Sequence, residues 1–496
     1  MIALSAISKD LLLRFVAEGA TKGIGLLTMP LLVHFLGTSG YGHYSFAQAA
    51  IGALIPVVSL GLGFSLVRQI IGTSSPSLVT ARLSGAFILA SMAAMPCALL
   101  VWHSSPLLAR WLGDAREIEM IAKMSAILLI AATWQNLAIE ALRAKQRVTY
   151  ITALQITEAI LFPVAIIAMA TANMLEAAGV IAALAALKIG VVLVIFGSAA
   201  ATLRRNMSAV WMLSADEMRM ALVLGLPFMI SGLGEWLMAL GDRVAVGTTL
   251  GLEALGSYAA MQILVAIMAS WGAPFWWLLF PKFCNALETG GRSSAAETSR
   301  QLGALFFQWG LPIAVAIILL GTGILGLIGK STLVVDRATL GFLVAATLVN
   351  QAATPWEYAL YAERRGQVLM KATLLWGGVT ITFVYLALPF LGLAGAALAT
   401  LAGRIGFAAN IVLKTRALGY REFLLMPPRL AGPTIAAFFA GCVAAKLIID
   451  YSGSFGNIND GLIAAILAAA GFTLVYGAIL FILGRTRNNR NPSGTG

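Results

Sequence analysis

The sequence predicts an all-α polytopic membrane protein of about 14 transmembrane helices, arranged as two six-helix bundles in pseudo-twofold repeat plus two C-terminal helices. Three observations predict this fold: the composition, a series of long apolar windows, and short motifs shared by the two halves. Of 496 residues, 60% are hydrophobic and 11% are charged, and the mean hydropathy is +0.90. A soluble domain carries about 25% charged residues, so most of this chain is not exposed to water.

Apolar windows follow one another along the whole chain. A membrane span needs about 20 apolar residues. No connection between the windows is longer than roughly 20 residues, so no soluble domain is expected. The windows lie at residues 11–36, 44–70, 83–102, 118–139, 151–171, 177–200, 220–241, 254–281, 303–328, 338–361, 371–391, 393–413, 430–449 and 461–484.

The two halves of the chain share motifs at a nearly constant separation. The pattern G-x4-G-x-Y-x3-Q begins at Gly37 and again at Gly251, and residues 141–145 match residues 359–363. Such repeats are common in transporters, and six spans per copy give both copies the same orientation. The predicted domains are an N-terminal lobe (1–205), a C-terminal lobe (206–425), and two additional helices with a cytoplasmic tail (426–496).

Lys and Arg are distributed unevenly among the connections, which predicts the orientation in the membrane. Cytoplasmic loops collect Lys and Arg. With both termini in the cytoplasm, the outer connections hold only Arg110, Arg116, Arg243, Lys330 and Arg337. The net charge of +12 is thereby explained by topology, and nucleic acid is not an expected partner.

Two cations occupy matching places in the middle of apolar windows. Lys188 lies in the sixth window and Arg404 in the twelfth, 216 positions apart (404 − 188). A cation at the bilayer centre costs roughly 2.5–3.5 kcal/mol on insertion scales, and by default it marks a substrate or ion pathway. The pair therefore predicts a transporter with a charged interior.

Further charges form a stripe on the first span. Arg14, Glu18 and Lys22 follow at four-residue spacing, so they share one face of a helix. They either neutralise one another near the inner interface, with Arg14 reaching water, or line a cavity. We favour the cavity because Lys22 is too deep to reach water through lipid.

Two carboxylates lie deep in the fifth and seventh windows. Glu158 and Glu235 either pair with Lys188 and Arg404 or take up a coupling ion, since burial favours the protonated form of a carboxylate. Both interpretations stay open. Together with the stripe, these groups make four cations and three carboxylates, a weakly positive interior that favours a bound anion.

Two features near the ends of spans are also predicted. Asp242 and Arg243 are expected to close the seventh span at the outer face as a structural ion pair. Trp271, Trp276 and Trp277 are typical of an aromatic belt at the cytoplasmic interface.

The sequence carries no enzyme signature. It has no Gly-rich phosphate loop and no His-Glu-x-x-His motif, and His34, His43 and His103 do not cluster with other metal ligands in sequence. We expect a non-enzyme without catalytic residues, metal or cofactor, and without a nucleotide site for using ATP.

Several short segments carry a resemblance to a known family: residues 36–44, 241–243, 250–251, 254–258 and 392–397. With the two-by-six repeat and two further spans, they resemble the polysaccharide flippases of the multidrug/oligosaccharidyl-lipid/polysaccharide exporter (MOP) superfamily over nearly the whole chain. The resemblance implies a bacterial inner-membrane protein that moves undecaprenyl-diphosphate-linked oligosaccharide from the cytoplasmic to the periplasmic leaflet.

The resemblance also implies a mechanism: alternating access of two lobes around a cationic cavity, driven by an H+ or Na+ gradient. The cations that this chain offers to such a cavity are Arg14, Lys22, Lys188 and Arg404. The carboxylates expected to couple an ion or to pair with these cations are Glu18, Glu158 and Glu235. Expected partners are the lipid-linked oligosaccharide and membrane lipids, with a polysaccharide polymerase and a chain-length regulator as further candidates.

Three other functions are weaker alternatives. A drug or cation antiporter of the same superfamily typically has nearer twelve spans and a carboxylate-dominated cavity, whereas a cation is duplicated here. A polysaccharide polymerase or ligase tends to carry a large outer loop with catalytic Arg or His, and the sequence has none. A non-transporting scaffold does not explain charges so deep in apolar windows.

Overall fold

The computed structural model describes residues 2–73, 75–112, 115–172, 175–205, 215–328, 336–420, 428–452 and 466–480. The regular elements in these ranges are helices. They are α1 (Ile2–Val58), α2 (Leu62–Ile70), α3 (Pro76–Leu112), α4 (Ala115–Ala144), α5 (Val148–Thr171), α6 (Ala177–Arg205), α7 (Ala215–Leu250), α8 (Leu252–Ile328), α9 (Arg337–Ala362), α10 (Gly366–Ala417), α11 (Pro428–Ser452) and α12 (Ile466–Leu480).

Three of these helices are pairs of spans that meet at a glycine. Gly37 in α1, Gly291 in α8 and Gly392 in α10 have φ angles of 70°, 70° and 57°. Glycine enters this left-handed region without the steric cost that a Cβ atom brings. At each glycine, therefore, one helical segment ends and the next begins without an intervening loop. Residues His43–Val58 continue into Leu62–Ile70 through a bend of 48°, so the end of α1 and α2 form one span.

The described helices agree with the predicted number of spans. Twelve described helices with three internal divisions and one joined pair give fourteen helical segments. By length and hydropathy alone, eight described helices qualify as membrane spans, or nine with the bent pair. Glu253–Gly321 and Gly366–Ala417 contain 69 and 52 residues, more than twice the roughly 20 needed to cross once. The predicted all-α membrane fold is confirmed.

The chain divides into two compact units, Met1–Leu233 and Gly234–Gly496. The division falls inside α7, so the first part of that helix belongs to the first unit and the remainder to the second. The lobe boundaries expected after residues 205 and 425 stay a prediction.

Small and branched side chains bring α1, α4 and α6 together in the first unit. Ala47 and Ile51 of α1 lie in one buried cluster with Leu128 of α4 and with Ile181 and Ala185 of α6. Small residues allow membrane helices to approach closely. This packing fixes the faces of α4 and α6 that carry polar side chains.

The first part of α7 is held tightly within the first unit. A Cβ atom built on Gly225 would lie 2.4 Å from the backbone oxygen of Leu60, so the two backbones almost touch. At the start of α7, the carboxylate of Glu217 accepts hydrogen bonds of 3.1 and 3.2 Å from the guanidinium of Arg82 on α3. The close backbone approach to Leu60 and the bidentate ion pair with Arg82 together fix this part of α7 on its neighbours.

Aromatic side chains fill the interior of the second unit. Trp276 is 5% exposed, and its ring centroid lies 5.0 Å from that of Phe306. The ring centroid of Phe275 lies 5.7 Å from that of Phe306. The predicted interfacial belt is therefore wrong at Trp276, because this side chain packs between the two spans of α8. The large area of an aromatic ring makes this burial strongly stabilising.

The two C-terminal helices pack on each other and on α8. Ala437 and Ala445 of α11 form a buried cluster with Phe472 and Tyr476 of α12, and Leu319 of α8 packs against it. The contact with α8 attaches the pair to the second unit.

Asp336 caps the first turn of α9 and gives a testable pH dependence. Its carboxylate accepts the backbone N–H of Thr339 at 2.9 Å, and this hydrogen bond holds the pKa of Asp336 below its usual value. The cap therefore stabilises the fold fully above the unfolded-state pKa, and the stabilisation is lost as the pH falls through the folded-state pKa.

We expect Asp336→Ala to lower the free energy of unfolding by about 1 kcal/mol at pH 7. Asp336→Asn should be nearly neutral at that pH, because an Asn side chain caps a helix about as well. Thermal unfolding in detergent measures both variants. Equal unfolding temperatures for the Ala variant and the wild type at pH 7 would contradict the assignment of Asp336 as a stabilising cap.

Candidate functional site

Arg404 lies in the second span of α10 and forms an ion pair inside the second unit. Its Nη1 donates to the two carboxylate oxygens of Glu235 on α7, at 2.8 and 2.6 Å. The same nitrogen donates to the side-chain oxygen of Asn350 on α9 at 2.9 Å. The side chain of Arg404 is 14% exposed and that of Glu235 is 36% exposed. The positive charge is thus largely shielded and already compensated.

Lys188 lies on α6 and forms a similar cluster inside the first unit. Its Nζ donates to Glu158 of α5 at 3.0 Å and to the side-chain oxygen of Gln135 on α4 at 2.8 Å. The amide nitrogen of Gln135 in turn donates to the other carboxylate oxygen of Glu158. The three side chains therefore form a closed ring of hydrogen bonds around one ion pair.

The two clusters share a plan but differ in the origin of the carboxylate. In each half, a cation on the sixth span contacts an amide on the fourth: Gln135 for Lys188, and Asn350 for Arg404. The carboxylate comes from the fifth span of the first half and from the first span of the second half. The structure shows Glu158 paired with Lys188 and Glu235 paired with Arg404, and the ion-coupling role of these carboxylates stays a prediction.

The predicted stripe on the first span is present, with unequal exposure along it. Arg14 is 5% exposed and donates to the side-chain oxygen of Gln155 on α5 at 2.6 Å. One carboxylate oxygen of Glu18 lies 3.7 Å from Nη2 of Arg14, and the other lies 2.8 Å from Nζ of Lys22. The side chain of Lys22 is 50% exposed. Arg14 is therefore buried against α5, whereas half of the Lys22 side chain is exposed.

Helix α5 brings the stripe beside the Lys188 cluster. Gln155, which contacts Arg14, and Glu158, which contacts Lys188, are three residues apart and share one face of α5. The polar groups predicted separately for the first, fifth and sixth spans thus form one continuous polar surface in the first unit. The sequence did not single out Gln155, because a lone glutamine in an apolar window gives no sign of its partner.

Glu357 on α9 is a further acidic residue beside Arg404 that the sequence analysis missed. Its carboxylate interacts electrostatically with both Glu235 and Arg404. It lies inside the predicted window 338–361, so a complete list of ionisable residues within the windows finds it. Arg404 therefore has two carboxylates for neighbours, where one was expected.

The carboxylate of Asp242 contacts side chains of α8 and the backbone of Arg243, but not the Arg243 guanidinium. Since α7 continues to Leu250, both residues lie within a helix. The carboxylate of Asp242 accepts hydrogen bonds from the hydroxyl of Tyr258 at 2.8 Å, from Gln262 at 3.3 Å and from the backbone N–H of Arg243 at 2.7 Å. Among the described contacts, no ion pair joins the two side chains, so the predicted closing pair is wrong.

One more ion pair lies close to the stripe. On α4, Nη1 of Arg143 lies 3.1 Å from a carboxylate oxygen of Glu140, one turn away. Both residues interact electrostatically with Arg14. To the four predicted cations the structure adds Arg143 and Arg243, and to the three predicted carboxylates it adds Glu140, Asp242 and Glu357. These groups are then six cations and six carboxylates, so among them the small positive excess expected from the sequence disappears.

The fold is similar to solved structures of transporters over most of the chain. A MATE protein in the straight conformation matches with a TM-score of 0.67 at 15% identity, over 83% of this chain and 95% of that chain. The Vibrio cholerae MATE transporter VcmN in the bent form matches with a TM-score of 0.67 at 15% identity, over 86% and 100%.

A third similar structure is a MOP superfamily transporter from Pyrococcus furiosus, described as having a binding pocket of reverse polarity that suggests a different function. It matches with a TM-score of 0.64 at 13% identity, over 83% of this chain and 95% of that chain. At these identities the likeness concerns the fold alone.

The sequence itself matches a family model. The model described as "Polysaccharide biosynthesis protein" matches residues 7–286, which is more than half of the chain. No curated protein sequence matches the chain.

Proposed function

This chain belongs to the polysaccharide biosynthesis protein family of the MOP superfamily, and we propose that it translocates undecaprenyl-diphosphate-linked oligosaccharide units across the bacterial inner membrane. The family supports polysaccharide biosynthesis as the process, and the multi-pass helical fold supports transport. The observation that carries the proposal is the cation at the same place in each half, Lys188 and Arg404, each hydrogen-bonded to a carboxylate.

The diphosphate of such a substrate needs cations along its path. Phosphate oxygens form strong charge-assisted hydrogen bonds with Arg and Lys. Lys188 and Arg404 already hold Glu158 and Glu235, so the substrate must compete with these carboxylates. Exchanging one anionic partner for another avoids a state with an unpaired buried cation, which is strongly unfavourable. The polyprenyl chain remains in lipid while the glycan crosses through a hydrated interior.

The carboxylates provide a way to couple this exchange to an ion gradient. A proton or Na+ taken up by Glu158 or Glu235 removes the negative charge that holds the neighbouring cation. Lys188 or Arg404 is then free to bind the diphosphate, and release of the ion restores the pair. Arg14, Glu18 and Lys22 extend the charged surface along the first span to the half-exposed Lys22. In this proposal the chain uses no ATP, carries no catalytic residue, and has both termini in the cytoplasm.

One observation favours a second candidate, an ion-coupled antiporter of cationic compounds. Glu235 and Glu357 both lie near Arg404, and two carboxylates around one cation are suited to a positively charged ligand. The duplicated cation argues for the flippase, because an antiporter for cations has no use for Lys188 at the matching position. A polysaccharide polymerase or ligase, which also handles lipid-linked glycan, has no supporting observation.

A gene deletion with complementation tests the proposal. The deletion strain is expected to lose surface polysaccharide and to accumulate lipid-linked repeat units on the cytoplasmic leaflet. Wild type should restore export, and Lys188→Gln should restore less than about a tenth of it, since a charge-assisted contact to phosphate is lost.

Lys123→Gln is the matched control, because Lys123 pairs with Glu119 one turn away on the same helix, outside both clusters. It should restore export fully. Full export by Lys188→Gln at normal membrane level would refute the role of this cation. Intact polysaccharide in the deletion strain, together with new sensitivity to cationic dyes, would replace the flippase with the antiporter.

A further inference from the structure

Three exposed cations lie near the two ends of α10, on the outer surface of the second unit. Lys371 lies in the second turn of this helix, and Lys414 and Arg416 lie in its last turn. Gly392 divides α10 into two membrane spans, which brings both ends to the same side of the bilayer. The predicted orientation assigns this side to the cytoplasm.

Tight contacts fix the register of the two spans of α10. A Cβ atom built on Gly403 would overlap the side chain of Thr380, and one built on Gly406 would overlap the ring of Trp376. Residue numbers rise along one span while they fall along the other, so the two spans pack side by side and are antiparallel.

This register places the three cations at nearly the same depth. Lys371 lies nine residues before Thr380 (380 − 371) and is therefore level with the residue nine positions after Gly403. Lys414 and Arg416 lie two and four residues beyond that level, about 3 and 6 Å along the helix axis. Helical side chains tilt toward the N-terminus of their own helix. In antiparallel spans, Lys371 therefore tilts toward the other two cations, and they tilt back toward it.

Among the described residues, no hydrogen bond or ion pair neutralises these three side chains. The acid just before α10, Glu363, already accepts hydrogen bonds from Arg292 at 2.7 Å and from the hydroxyl of Tyr420 at 3.2 Å. Arg364 and Arg365, in the turn that leads into α10, are exposed and add further positive charge. This end of α10 is therefore a surface with a local excess of cations.

Lipid-facing leucines lie directly beside the cations. Leu374 and Leu375 are one turn from Lys371, Leu413 precedes Lys414, and each of these leucines is more than half exposed. A single lysine at such a border reaches water by itself. Three cations that converge at one depth repel one another, however, and an anion between them relieves that repulsion.

We propose that this surface binds an anionic phospholipid of the bilayer. Lys371, Lys414 and Arg416 hold the phosphate through charge-assisted hydrogen bonds, and the acyl chains lie against Leu375 and Leu413. Basic clusters at the ends of membrane spans attract anionic headgroups in this way. The site faces the bilayer, so its ligand is a resident lipid and not the transported molecule. The inference goes beyond the proposed function and does not depend on it.

The experiment uses the purified full-length protein in detergent. Phosphatidylglycerol, phosphatidylcholine with the same acyl chains, and inorganic phosphate are titrated separately, and binding is followed by the unfolding temperature. A ligand that binds only the folded protein raises this temperature. We expect a saturable rise with phosphatidylglycerol, a much smaller rise with phosphatidylcholine and none with inorganic phosphate. An equal rise with phosphatidylcholine, or with inorganic phosphate alone, would overturn the assignment to an anionic lipid.

Variants test the three cations. Replacing them together, by Lys371→Gln, Lys414→Gln and Arg416→Gln, is expected to weaken phosphatidylglycerol binding at least tenfold. The double variant Lys371→Arg with Lys414→Arg keeps the charges and should keep the affinity, which also shows that the surface tolerates substitution. Unchanged affinity in the triple variant would refute the site.

A matched control removes the same amount of charge elsewhere. Lys145, Arg147 and Arg219 are exposed cations of the first unit, and changing all three to Gln should leave phosphatidylglycerol binding as in the wild type. An equal loss in this control would show that the lipid responds to net charge alone, and the site on α10 would be abandoned.

Discussion

Gly225→Ala is expected to be among the most destabilising single-methyl additions in the first unit. The new Cβ would lie 2.4 Å from the carbonyl oxygen of Leu60 and 3.3 Å from the backbone of Gly61. Neither is a side chain that can rotate away, so the helices must separate. Overpacking of this kind costs about 3 kcal/mol, which corresponds to an unfolding temperature roughly 6–12 °C lower for a unit of this size.

Gly190→Ala in α6 is the matched control, because its Cβ would have no neighbour within 4 Å. A helical Gly→Ala change without a clash stabilises by roughly 0.5–1 kcal/mol. Thermal unfolding of the two variants in detergent gives the comparison. If Gly225→Ala unfolds at the same temperature as Gly190→Ala, the close approach of α7 to Leu60 is not present in the protein.

Arg404→Gln is expected to reduce export more than tenfold and to destabilise the second unit as well. Removing one partner of a buried pair costs about 3–5 kcal/mol. We expect about 2 kcal/mol here, because the side chain of Glu235 is 36% exposed and water partly screens its charge. The single variant therefore cannot separate a structural role from a role in substrate binding.

The double variant Arg404→Gln with Glu235→Gln makes that separation. Removing both charges leaves two neutral amides able to hydrogen-bond, so most of the lost stability should return. Export should stay low, because the cation that binds the diphosphate is still missing. Unfolding temperature and surface polysaccharide are measured on the same strains.

Arg292→Gln is the control for a general effect of breaking an ion pair. Arg292 pairs with Glu363 at 2.7 Å, but its side chain is 51% exposed, so the expected cost is below about 1 kcal/mol with normal export. Recovery of export in the double variant would show that Arg404 serves only to neutralise Glu235, and it would remove this residue from the substrate path.

The sequence was sufficient to predict the spans and the residues of the two deep ion pairs. It was not sufficient to predict the direction of every side chain. Lys188 and Arg404 stood out because a charge in an apolar window is costly and this one occurs twice. Glu158 and Glu235 were correctly considered as their partners, since few other buried acids were in view. The depth of a residue along a helix follows from its number in the chain.

What the sequence could not supply was the direction in which a side chain points within the bundle. Gln155 gave no sign that it faces Arg14, and Asp242 was assigned to its sequence neighbour when its hydrogen bonds go to α8. Trp276 was assigned to the interface because tryptophan before a cytoplasmic lysine often lies there, yet packing between the spans of α8 buries it. These errors share one cause: contacts across helices depend on rotation about the helix axis, which neighbouring residues in the chain do not fix.

The two ion-pair clusters can also be compared position by position between the two halves of the chain. Duplication of a gene copies every residue, so features at matching positions descend from the single ancestral half. Lys188 and Arg404 lie 216 positions apart (404 − 188) and Gln135 and Asn350 lie 215 apart (350 − 135), so both pairs fall within the 214–218 range of the other matches. Glu158 and Glu235 come from helices that are not equivalent at all. By this measure the cation and its amide partner belong to the plan shared by the two halves, and the carboxylate is where the two clusters differ.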